Sequence, residues 1–190
     1  MDNANKCTKH IEELHHTIYV AGLNYDIWRT YKGKKYRKLF LDADDHYPLF
    51  FQTSLHAHFV AVIVALYQLF EKRHDTVNFH HLLFLMKQVN RFNMKEINNI
   101  ERKIEKLNPL WIKISTLRNK VFGHKTNEFN FDPWQQVKIT PNNIKKMIQR
   151  CQKLLNDISR KWNRNAYAYN LSAQPSTRDL LKDLKRLRKL

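Results

Sequence analysis

Glycine is scarce in this sequence, with three residues in 190, and proline is limited to five. So few turn formers exclude a fold of many short strands, which needs a tight turn at each reversal; both counts lean toward helices. No Gly-rich phosphate loop and no G-x-S-x-G elbow occurs, so neither a P-loop nucleotide site nor that acyl-transfer nucleophile is encoded. Cysteine is confined to Cys7 and Cys151, which form no C-x-x-C pair, and a zinc ribbon is excluded. A signal peptide is not expected either, because MDNANKCTKHIEEL places charges where an apolar run would be needed. The expectation is a reducing cytoplasm with both thiols free.

Acidic residues are also in short supply. Seventeen Asp and Glu face 34 Lys and Arg, leaving a net charge of +17. Such a charge opposes compaction through self-repulsion and attracts polyanions. Nucleic acid is the foremost candidate partner, an anionic membrane surface the next, and a merely well-solvated basic protein the plain alternative. What is present is enough apolar material for a core, 43% of the chain, in one domain-sized length or a domain with a short tail.

Ile11, Leu14, Ile18, Ala21, Tyr25 and Trp28 recur at steps of three and four and predict a first helix over about residues 6–31. KGKKYRK and DADDHYP follow and read as a charged loop, with Pro48 suited to a helix start. Residues 48–73 are apolar nearly all round and read as a central buried helix. Gln52, His56, His58 and Gln68 leave only a short clean run there, so no membrane span is expected. Asn78 can cap a third helix, FHHLLFLMKQV, and Asn93 opens a fourth segment through Ile97, Ile100, Ile104, Leu107, Trp111, Ile114 and Val121. Pro109 falls mid-pattern and predicts a kink or two abutting helices, and Gly123 is placed to end the run. Residues 125–139 read as a loop. Thr140-Pro141 then starts a fifth amphipathic helix with Lys145, Lys146, Lys153, Arg160 and Lys161 on its polar face. Residues 163–175 read as a linker, and Ser176 with Asp179 in capping-box spacing opens a short basic helix. The expected fold is all-α: an antiparallel bundle of about five helices with a short basic C-terminal helix, divided into a helical domain at 1–165 and a basic tail at 166–190.

One position breaks the apolar stripe of the fourth segment. Arg118 stands where Ile114 before it and Val121 after it predict an apolar residue. A buried guanidinium is costly without a partner, so Arg118 must pair with an acid, bend out to solvent or line a groove that takes an anion. Asn119 and His124 lie close by, flanked by Lys120 and Lys125. A fixed cation that stabilises charge on phosphate, an imidazole that moves a proton near neutrality and an amide that holds either group are what phosphoryl chemistry needs. Arg73 with His80 offers a similar spacing, but that stretch passes through DTVN, which should break a helix. The histidine pairs His15-His16, His56/His58 and His80-His81 diverge on a helix, and no metal site is expected from them.

R-N-x-x-x-x-H at the end of a long helix in an all-helical domain resembles the signature of the HEPN superfamily. IWRTYKGKKYRKLF, LFFQTSLHAHFVAVIVALYQLF, EKRHDTVNFHHLL and LRNKVFGH, over about residues 27–124, are similar to its abortive-infection U-type branch. The resemblance implies a metal-independent endoribonuclease of antiviral or toxin–antitoxin defence, needing no cofactor and forming two-fold dimers whose motifs meet at the interface. Carried over, the catalytic positions are Arg118, Asn119 and His124. Lys120, Lys125, Lys145, Lys146 and Lys153 are the expected RNA contacts, and an antitoxin protein is a possible further partner. The alternatives are a helical module that binds nucleic acid without cutting it, and a protein-interaction subunit of a toxin–antitoxin pair.

Overall fold

A 30-residue helix, α1 (Asn3–Lys32), carries most of the architecture. Its stripe of Cys7, Ile11, Leu14, Ile18, Ala21 and Tyr25 is buried, and α3 (Pro48–Gln68), α4 (Phe79–Lys87) and α7 (Pro141–Asn163) pack around it. In this computed structural model residues 2–73, 75–89, 91–123 and 137–187 are described, with the backbone alone for 121–123. α1 stops at Gly33, whose N–H donates to the Arg29 carbonyl at 2.8 Å. A Cβ at Gly33 would come within 2.6 Å of that same oxygen, so the position needs glycine.

The fold is all-α, with eight α-helices and no strand among the described residues. Two more helices are present than the five and the short basic one expected, from two sources. The fourth segment is two helices, α5 (Met94–Glu105) and α6 (Asn108–Leu117), with Pro109 in the first turn of the second. The basic helix expected near the C-terminus is present as α8 (Gln174–Leu187). The charged stretch expected to be a loop contains α2 (Arg37–His46). Its helical partners are only Phe40 and Ala43, three apart, which is too short a pattern to stand out among the aspartates. They form a second, smaller core with Tyr31, Phe51, Leu55 and Leu181, in which the Tyr31 and Phe40 rings lie 5.0 Å apart.

The segment expected to be a linker is tied down. Tyr167 stacks on His15 at 3.9 Å and exchanges two hydrogen bonds with the Asn156 side chain. Ser172 donates to Asp26. α8 begins two residues before the expected cap: Gln174 N–H donates to the Ser172 hydroxyl, and Asp179 pairs with Arg178 and Lys182 instead of capping.

α3 is long and apolar enough to cross a membrane, with a mean hydropathy of 1.7, so its length does not exclude a span as expected from the sequence. Packing describes it better. Phe59, Val62, Ile63 and Leu66 join the main core, whereas Leu49 and Phe50 at its first turn are 86% and 64% exposed. It is central only in its C-terminal half.

Candidate active site

Ile114 and Leu117 anchor α6 in the core, and both are fully buried. Trp111 fixes the helix to α3 by donating its indole N–H to the Tyr67 carbonyl at 3.1 Å. Immediately after Leu117 the backbone changes from α to a π-helical turn, Arg118–Gly123. A π turn is wider than an α turn, so the 100° per residue of an ideal helix does not apply between Arg118 and the residues after it. Such turns recur at functional sites because they re-aim side chains that an α-helix would stack on its buried face.

Arg118 is half-buried, and of the three fates open to it the structure shows a fourth contact first. Its guanidinium lies over the Tyr67 ring, 4.9 Å from the centroid. The same ring stacks on Trp111 at 6.0 Å. One N–H donates to the Asn119 side-chain oxygen at 2.9 Å. No carboxylate among the described residues forms an ion pair with it. A guanidinium has five N–H donors, and the bond to Asn119 uses one of them. Asn119 therefore positions the arginine in this state, and a phosphate oxygen is the natural partner for what remains of the fork.

Asn119 and Lys120 are exposed beside it. His124 and Lys125 lie outside the described residues, as does most of the segment expected to be a loop at 125–139. The other Arg–His spacing is not a site of this kind. Arg73 is paired with Asp75 at 2.6 Å, and Asn78 caps α4 after the break. The described histidines that shift do so toward the neutral form. His10 is pushed down to about 4 by burial and then by His81, with their rings 4.8 Å apart. Burial also lowers His15, His58 and His80. No three His, Cys, Asp or Glu side chains among the described residues form a group able to hold a metal.

The expected RNA-contacting lysines of α7 do not form one patch. Lys145, Lys146 and Lys153 are all exposed. Lys145 faces a groove shared with Gly22 and Asp26 of α1, whereas Lys153 faces one shared with Lys103 and Lys106 at the end of α5. Lys161 is neutralised by Glu96 at 2.9 Å. Sequence reasoning missed Tyr67, because an aromatic within an apolar run reads as core. It also missed Lys103, Lys106 and Arg150, because only the packing of α5 against α7 brings them to one groove.

A model of the family HEPN_AbiU2, described as AbiU2, matches residues 4–182. No curated protein and no solved structure matches the chain.

Proposed function

Because the chain belongs to the AbiU2 family of HEPN domains, we propose that it is a metal-independent endoribonuclease of the defence type that cuts RNA at Arg118, Asn119 and His124. The observation carrying this reading is Arg118 itself: a cation at the end of an apolar helix, seated on Tyr67, held by Asn119 and without a carboxylate among the described residues.

The substrate brings its own nucleophile. A base takes the proton of the ribose 2′-hydroxyl, and the oxygen attacks the adjacent phosphorus. The bond from phosphorus to the 5′-oxygen breaks, and an acid protonates that oxygen. The products are a 2′,3′-cyclic phosphate and a 5′-hydroxyl. Arg118 stabilises the charge that grows on the phosphorane oxygens. His124 serves as base or acid, since an imidazole titrates near neutrality. One chain supplies a single His124, and a two-fold dimer supplies two, one for each proton transfer. The dimer is tested by sedimentation; a monomer that cuts at full rate would contradict it.

The cutting reading is tested with a mixed RNA pool in EDTA, using the wild type, Arg118→Ala, Asn119→Ala and His124→Ala. Cutting by the wild type that Arg118→Ala and His124→Ala abolish is the expected result. No cutting by any of the proteins, with RNA binding unchanged, would make the chain a binding module. A stable complex with an antitoxin but none with RNA would make it an interaction subunit.

A further inference from the structure

α5 and α7 run antiparallel, as two ion pairs record. Glu96 meets Lys161 at 2.9 Å, and Lys103 meets Asp157 at 2.8 Å, so residue numbers rise along one helix as they fall along the other. Over that stretch each lysine has an acid. Toward the end of α5 Glu101 and Glu105 line a different cavity, and Asp157 is the one acid lining the groove between α5 and α7. Lys106 stands on one side of this groove and Arg150 and Lys153 on the other, and the paired Lys103 and Asp157 line it too. Lys106, Arg150 and Lys153 are exposed, and no ion pair involves them among the described residues. The floor is Leu107 and Leu154, both buried, and the cavity is about 450 Å³.

Packing explains the leucines but not the charges. The stripe Ile97, Ile100, Ile104 and Leu107 sets the core face of α5, and Ile144, Met147, Cys151, Leu154 and Ile158 set that of α7. Residues flanking these stripes need only be polar. Like charges a helical turn apart destabilise, so clustered cations facing one another across a groove oppose the fold unless an anion is present. Arg150 and Lys153 are about 4.5 Å apart along the axis of α7, and Lys146, on the same side by helical spacing, adds about 6 Å more. A row of that length suits successive phosphates of a chain and not a single small anion. An acidic protein surface would need a broader apolar centre than two leucines.

We propose that this groove binds the phosphodiester backbone of RNA, as a second contact apart from the cutting motif. The inference rests on the reading of the chain as an RNA-cutting enzyme and assigns Lys106 and Arg150 a role alongside Lys153. Its position suits that role. α6 starts directly after Leu107 and its last residue precedes Arg118, so about 15 Å of helix, ten residues at 1.5 Å each, separates the groove from the motif. A strand held in the groove reaches the motif within a few nucleotides.

The test uses a fluorescent 20-nucleotide RNA bearing 2′-O-methyl groups throughout, which can bind but offers no 2′-hydroxyl to attack. Its binding is followed by anisotropy across a salt series. The proteins are the wild type, Lys106→Gln/Arg150→Gln/Lys153→Gln, an equally discharged Lys9→Gln/Lys34→Gln/Lys38→Gln control, and Arg118→Ala. The groove variant is expected to bind at least tenfold more weakly, with a log–log salt slope shallower by about 2, since each single-strand phosphate contact contributes about 0.7. The discharged control should change less than threefold, and Arg118→Ala should lose less binding than the groove variant. A groove variant that binds like the discharged control overturns the proposal, and so does loss of binding to polyglutamate with RNA binding intact. Cutting of an all-ribose RNA separates the two readings. Unchanged KM in the groove variant overturns the groove and leaves the enzyme standing. RNA held in the groove by a wild type that never cuts supports the groove and removes the enzyme.

Discussion

α7 and the turn at Arg118–Gly123 are built by opposite rules. In α7 every local signal agrees. Thr140 and Asn143 form a capping box, Pro141 sits in the first turn, nine residues are buried along one face, and Arg164 in the left-handed region ends the helix. At Arg118 the signals conflict: the stripe requires an apolar side chain, and a cation stands there on an aromatic ring while the backbone abandons α geometry. Agreement across levels is what specifies a fold, and a local violation that the fold tolerates is where function is expected. Stability should therefore reside in α7 and its neighbours, and activity in the turn.

The largest expected effect separates the two. Arg118→Ala should lower RNA cutting by about 10²–10³-fold, the usual loss on removing one charge-stabilising donor. Its stability cost should be about 1 kcal/mol or less, because the contact with Tyr67 is partly exposed. Urea titration beside a cutting assay reads both, and a loss of stability as large as that of a core variant would break the contrast. Leu155→Ala should do the reverse. It removes a fully buried side chain and should cost about 2–5 kcal/mol, with cutting per folded molecule unchanged.

The next effect is pH dependence within the core. His10 is 9% exposed, and its Nε2 has no hydrogen-bond partner among the described residues. Its folded pKa of about 4 lies below the unfolded value of 6.5, so the unfolded chain binds the extra proton in that interval. Stability from this group is complete above about pH 6.5 and falls by about 3 kcal/mol as pH drops to about 4. His10→Leu should flatten that part of the stability profile, while His15, His58 and His80 retain smaller slopes of the same sign. The smallest effect is at the cap: Thr140→Ala should cost about 1 kcal/mol in urea titration, because one hydroxyl serves the Asn143 N–H.

The same contrast accounts for what was legible in the sequence. Periodicity and caps gave α1, α4, α5 and α7 nearly to their ends, since Asn78, Asn93 and Thr140 each cap where expected. α2 was hidden because two buried residues make too short a pattern, and Leu181 of α8, which completes their cluster, is distant in sequence. The docking of 165–173 was hidden for a similar reason, since the contacts of Tyr167 are with α1 and α7. For the site, the anomaly at Arg118 was legible and its Asn119 neighbour with it. Tyr67 was not, because only a tertiary contact distinguishes a ring that supports a cation from one that fills a core. The sequence also grouped Lys145 with Lys153, and helical phase separates them into two grooves.

The most direct measurement replaces a single atom group in the substrate. An oligoribonucleotide that the wild type cuts at one position is remade with a 2′-O-methyl at that ribose alone, and both are incubated with protein in EDTA. Cleavage of the first, ending in a 2′,3′-cyclic phosphate, and survival of the second is the predicted result. Equal cleavage of both, or a product with a plain 3′-hydroxyl, would contradict attack by the 2′-hydroxyl and with it the role assigned to Arg118 and His124.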